Sequence, residues 1–163
     1  MITVFTSCYN HGQYLRETIA SVMCQSYPEF RYILIDDGSD DDTWDIIREY
    51  AALDNRIRPI QLDRDNRDEG KGCVLNESLE GMPRGYWTWA PADDKWHPEL
   101  LEKRLAFAKE HPGECIYGDY WFLDGDGNVT GESMLLDRTP ERLAEAWWKT
   151  TNLIGFTGIF IPT

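Results

Sequence analysis

Two adjacent acidic pairs stand at the ends of strand-like runs. Tyr32-Ile33-Leu34-Ile35 runs into Asp36-Asp37-Gly38-Ser39, and Tyr86-Trp87-Thr88-Trp89-Ala90 leads through Pro91-Ala92 into Asp93-Asp94. Neighbouring carboxylates repel, so each pair needs solvent, a cation or a ring of hydrogen-bond donors. Two such pairs in one small α/β chain point to a site for a metal and a polyhydroxylated or phosphorylated ligand. Each pair also has a plainer reading. Asp36-Asp37 can form an Asx-type turn beside a helix cap, and Asp93-Asp94 can make a capping turn before a helix.

The elements that would hold these residues alternate. Thr3–Thr6 reads as a first strand and Gln13–Gln25 as a helix, with Leu15, Ile19, Val22 and Met23 on one face. Tyr32–Ile35 is a continuous apolar run, as expected of a strand buried on both faces. Asp42 is placed to cap a helix from Thr43 to about Ala52, and Arg56–Leu62 is a third strand. A helix over Gly70–Leu79, a strand over Gly85–Ala90 and a helix from His97 to Glu110 follow, the last with Pro98 in its first turn. Alternation of this kind predicts a mostly parallel sheet with helices on both faces. Ligands collect beyond the C-terminal strand ends of such sheets, the edge where both Asp pairs fall.

After His111 the pattern changes. Glu114–Asp119 is a strand candidate, and Tyr120–Leu123 with Asn128–Glu132 reads as a hairpin about Asp124-Gly125-Asp126-Gly127. That turn looks like the start of a calcium loop, but Val129 and Leu135 stand where Gly and Glu are required. Thr139–Lys149 reads as a helix and Gly155–Ile161 as a last strand-like run.

The 163 residues suit one domain with a real core. A net charge of −13 argues against nucleic acid as the main partner. It leaves room for a phosphate ligand bridged by a divalent ion. Cys8, Cys24, Cys73 and Cys115 show no C-x-x-C spacing and are expected to be buried free thiols in a reducing compartment. No run reaches the ~18 apolar residues of a membrane span. The expected location is cytoplasmic, with peripheral membrane contact left open. Gly70-Lys71-Gly72 could offer amides and a cation to phosphate, or be a flexible helix entry. Of the seven Trp, Trp87 and Trp89 read as core, while adjacent Trp147 and Trp148 cannot share one buried helix face.

The order of motifs resembles a family 2 inverting glycosyltransferase of the GT-A fold, over about residues 2–132. The matching positions are Val4, Tyr9-Asn10, Leu15, Ile19, Ser21-Val22, Gln25-x-Tyr27-Pro28 and Ile35-Asp36-Asp37-Gly38-Ser39-x-Asp41-x-Thr43. Asn66, Gly70, Asn76, Gly85-Tyr86, Asp93-Asp94 and His97-Pro98 follow in order. The resemblance implies a three-layer α/β/α Rossmann-like fold spanning residues 1–163, with a donor half (1–110) and the start of an acceptor half (111–163). It implies that Tyr9 lies against a nucleotide base with Ser7 nearby, and that Asp37, beside Asp36, reads that base. Asp93 would touch ribose or donor sugar, Asp94 with Asp93 would hold Mn²⁺ or Mg²⁺, and Lys71 would approach the nucleotide. The partners implied are a nucleotide-diphospho-sugar, with UDP-sugar leading, and a glycan or lipid-linked acceptor.

This chain departs from the family pattern in two ways. Pro91 stands where many members carry the first Asp of the metal motif. The acidic motif that supplies the catalytic base is expected beyond Thr163, so the chain is expected to be a truncated domain. Rival readings are a non-catalytic nucleotide-sugar binding module and a sugar nucleotidyltransferase. The second would usually carry a Gly-rich basic loop near the first strand, which Tyr9-Asn10-His11-Gly12 is not.

Overall fold

The computed structural model describes residues 1–63, 84–132 and 160–162. Strands β1 (Ile2–Cys8), β2 (Phe30–Asp36), β3 (Ile57–Gln61) and β4 (Tyr86–Trp89) alternate with helices α1 (Gly12–Met23) and α2 (Thr43–Leu53). Helix α3 (Leu100–Glu110), the hairpin β5 (Trp121–Leu123) and β6 (Val129–Glu132), and β7 (Phe160–Pro162) complete the described elements. The five-stranded sheet has the order β3-β2-β1-β4-β7. Its first four strands are parallel, and β7 runs antiparallel to β4. The fold is α/β with a mostly parallel sheet.

Alternation along β1 and β2 sorts the core onto two faces. Ile2, Val4, Tyr32 and Leu34 pack with Leu15, Ile19 and Val22 of α1, Ile46 and Ile47 of α2, and Leu101 and Ala108 of α3. Phe5, Ile33 and Ile35 point to the other face and pack with Trp87 and Trp89. Trp89 stacks nearly parallel to Phe5, and the two tryptophans expected in the core are half-buried against this second cluster. All three described helices lie on the first face. The helix expected over Gly70–Leu79 falls outside the described residues, as do Cys73, Thr139–Lys149 with Trp147 and Trp148, and most of Gly155–Ile161.

Thr6 ties the three central strands together. Its hydroxyl donates to the Ala90 carbonyl at 2.6 Å and accepts from the buried Tyr32 hydroxyl at 2.9 Å. Burial pushes the Tyr32 phenol far up, so it stays a donor at any physiological pH.

Several expectations need correction. Helix α3 begins at Leu100, after a turn at Pro98-Glu99; the Leu100 amide bonds to the His97 carbonyl and the Leu101 amide to Gln25 Oε1. Glu114–Asp119 forms no strand; only Ile116 bridges, to Phe160. Asp42 occupies the position before α2 but makes no capping bond; Asp41 accepts from the Thr43 amide instead. Among the described cysteines, Cys8 is a buried thiol as expected, while Cys24 and Cys115 are exposed. The hairpin is present, and Asp124 closes its turn by accepting from the Asp126 and Asn128 amides.

Candidate functional site

Three loops leave the C-terminal ends of β1, β2 and β4 on one edge of the sheet. Tyr9–His11 follows β1, Asp37–Asp42 follows β2, and Ala90–Glu99 follows β4.

The first two loops are stitched together. The Asn10 amide donates to Ser39 Oγ at 3.0 Å, and Asn10 Oδ1 accepts from the Asp40 amide at 2.8 Å. The His11 amide reaches Thr43 Oγ1 and the Gly12 amide reaches Asp41 Oδ2, both at 3.0 Å. Desolvation opposes ionisation of Asp41, but hydrogen bonds from Thr43 and Gly12 outweigh it and hold the carboxyl below its usual range. Asn10 takes a left-handed φ of 56°, a conformation Asn tolerates better than most residues.

The members of the first acidic pair do different things. Asp36 ends β2 and is fully buried, one oxygen accepting from the Ser39 amide at 3.1 Å and the other from Gln61 Nε2 at 3.3 Å. It holds the turn. Asp37 leaves the strand with its amide bonded to the Cys8 carbonyl at 2.8 Å, and its side chain is 9% exposed. Gly38 and Ser39 beside it line an open cleft of about 440 Å³ with Tyr9, Asp40, Gln61 and Asp63. Tyr9 is 38% exposed there. Ser7 is half-buried in β1 and does not line that cleft. Lys71 lies outside the described residues.

Helix α1 fastens the loop that carries the second pair. Thr18 Oγ1 donates to the Ala92 carbonyl at 2.9 Å, and Ser21 Oγ accepts from the Trp96 amide at 3.0 Å. Gln25 donates to the His97 carbonyl at 2.8 Å and accepts from the Leu101 amide at 3.0 Å. On this support Asp93 is exposed and Asp94 half-buried. Both line a second cleft of about 440 Å³ with Asp119, Arg104 and Trp121. Among the described residues no three His, Cys, Asp or Glu side chains cluster tightly enough to hold a metal unaided. Carboxylate oxygens on an open wall are nonetheless the hard donors that Mn²⁺ or Mg²⁺ prefers.

Arg104 escaped the sequence reading. It is 7% exposed, donates to Thr88 Oγ1 at 3.1 Å and lies 5.8 Å from the Trp96 ring centroid. Burial pulls its pKa down to about 10, which leaves it charged at neutral pH. The signal was there: Leu101, Arg104 and Ala108 share the apolar face of α3 at helical spacing.

The sequence profile of "Glycosyl transferase family 2" matches residues 3–161, nearly the whole chain. The chain belongs to glycosyl transferase family 2. This family 2 chain is 33% identical over 127 residues to TuaG of Bacillus subtilis, a protein named as a teichuronic acid biosynthesis glycosyltransferase. That match covers 78% of this chain and 49% of TuaG, so the chain spans about half the length of that relative. The S. aureus TarS structure in complex with UDP-GlcNAc aligns with a TM-score of 0.61 at 28% identity, over 70% of this chain and 32% of that one. A mannosyltransferase from Pyrobaculum calidifontis, in complex with GDP-Man and Mn²⁺, aligns at 0.60 over 76% of this chain and 35% of that one. At 19% identity that last likeness speaks for the GT-A fold alone.

Proposed function

We propose that this chain is the donor-binding part of a glycosyltransferase. It would move a sugar from a nucleotide-diphospho-sugar, with UDP-sugar the leading donor, to a glycan or lipid-linked acceptor with inversion. One observation carries the reading. Tyr9, the Asp37–Asp40 turn and Asp93-Asp94 converge on the C-terminal edge of a parallel sheet, on loops tied down by α1 and by each other. The TarS complex with UDP-GlcNAc supports the choice of donor class.

In this reading residues 1–110 form the donor half, and 111–163 begin the acceptor half. Tyr9 packs on the base with Ser7 nearby. Asp37 accepts from a base N–H, and Asp36 acts through the turn it holds rather than on the base. Asp93 accepts from ribose or donor-sugar hydroxyls. Asp94, with Asp93 beside it, would hold Mn²⁺ or Mg²⁺, and Lys71 would approach the diphosphate. A bound divalent ion stabilises the charge that develops on a leaving diphosphate. A carboxylate base on the far face of the sugar would deprotonate the acceptor hydroxyl, which inverts the anomeric carbon. The reading carries with it a cytoplasmic location and a place in surface polysaccharide synthesis.

Product analysis with UDP-sugars and Mn²⁺ tests it. Release of UDP with a new glycosidic bond or with free sugar supports a transferase. Nucleotide binding with no UDP release contradicts catalysis by this chain and leaves a binding module. Release of pyrophosphate from UTP and a sugar phosphate indicates a nucleotidyltransferase.

A further inference from the structure

We propose that the β5–β6 hairpin is the acceptor wall of the Asp93-Asp94 cleft, and that the acceptor is an uncharged saccharide chain stacked on Trp121. This rests on the glycosyltransferase reading above and names the acceptor class for the same site.

Trp121 is 58% exposed and Phe122 51% exposed, although a hairpin of this size gains most from burying such rings. Phe122 is braced by Tyr120, edge to face at 5.3 Å between centroids. These rings line the same cleft as Asp93, Asp94 and Asp119. A ligand that fits both kinds of lining has an apolar face and a rim of hydroxyl donors. A pyranose ring has both: its C–H face packs on an indole, and its hydroxyls donate to carboxylates.

Charge decides which saccharide. Among the described lining residues, Asp93, Asp94 and Asp119 face only Lys95, Arg104 and His97. In the adjoining cleft of about 290 Å³, Glu17, Asp93, Asp124 and Asp126 face Lys95 alone, and Lys95 is ion-paired with Glu17. Such a surface, on a chain of net charge −13, disfavours a polyanion, and the one guanidinium in the described lining, Arg104, is 7% exposed and already donates to Thr88.

Length follows from the two clefts together. They share Asp93, Lys95 and Leu123, so they adjoin beside the hairpin, with Tyr14, 44% exposed, lining the far one. A run of this extent suits several sugar units rather than one.

The test is saturation-transfer NMR on the chain with UDP and Mn²⁺ present. Maltose, maltotetraose, chitobiose, chitotetraose and tetragalacturonate are the probes. At least one neutral tetrasaccharide should bind, more tightly than its disaccharide. Trp121→Ala should weaken it about fivefold, while Trp121→Tyr restores much of it and UDP affinity stays unchanged. UDP binding without any neutral tetrasaccharide binding overturns the proposal. So does tetragalacturonate binding as tightly, or an unchanged affinity in Trp121→Ala. Loss of UDP binding in the unmodified chain would instead overturn the donor reading, and this inference with it.

Discussion

Gln25, two residues beyond α1, caps α3 from outside: its Oε1 accepts from the Leu101 amide at 3.0 Å while its Nε2 donates to the His97 carbonyl at 2.8 Å. One buried amide thereby sets both the start of α3 and the path of the loop bearing Asp93 and Asp94. Gln25→Leu keeps the volume but leaves those groups unmet. It should cost about 2 kcal/mol, read from the urea midpoint. Metal-dependent nucleotide affinity should fall as well. An unchanged midpoint would remove Gln25 from this role.

Asp41→Ala should cost about 1 kcal/mol, because it removes the acceptor for the Gly12 and Thr43 amides. Asp42→Ala should cost less, since Asp42 makes no capping bond. Equal losses in urea unfolding would contradict this assignment.

The Asp41 carboxyl lies below its ordinary 3.8, so the folded state favours its ionised form. Its contribution is complete above that value and is lost as pH falls through the lower folded-state pKa. The stability gap between the natural chain and Asp41→Asn should therefore be constant from pH 7 to 5 and shrink below pH 3.8. A gap that widens on acidification would have the wrong sign.

Gly38 turns the chain between Asp37 and Ser39 with φ of 73°. Gly38→Ala must place a side chain in that left-handed region, at about 1–2 kcal/mol. Nucleotide affinity should drop with it, because Gly38 and Ser39 line the Tyr9 cleft. Calorimetric titration with UDP checks the second effect.

Much of this was legible in the sequence, for identifiable reasons. The runs at Tyr32–Ile35 and Gly85–Ala90 are apolar and short, and their strands lie within two residues of the expected ends. The carboxylate pairs showed because a strand end precedes each. Sequence could not say which Asp of a pair turns inward. That depends on register: Asp36 still pairs with Cys8 in the ladder, and Asp37 is the first residue beyond it. Sequence placed the cap on Asp42 for the same reason, whereas the approach of the Gly12 and Thr43 amides selects Asp41. Trp121 went unnoticed because an aromatic in a short strand reads as core, and only the coordinates reveal a hairpin with nothing buried in β5.

Asp94→Asn removes one full negative charge from the second cleft while preserving shape. The chain should stay folded, with its thermal midpoint without ligand nearly unchanged, and should lose the metal-dependent part of its nucleotide affinity. Mn²⁺-dependent binding that survives intact would exclude Asp94 as a metal ligand.

The central claim is that the sheet edge binds a nucleoside diphosphate with a divalent ion. Thermal unfolding with UDP, GDP, dTDP and CDP, each with and without Mn²⁺, tests it most directly. A ligand at ~100 times its dissociation constant adds about 2.7 kcal/mol, roughly 5–10 °C for a chain of this size. The account predicts that shift with UDP, only when Mn²⁺ is present. No shift with any of the four nucleotides, with or without the metal, would contradict it.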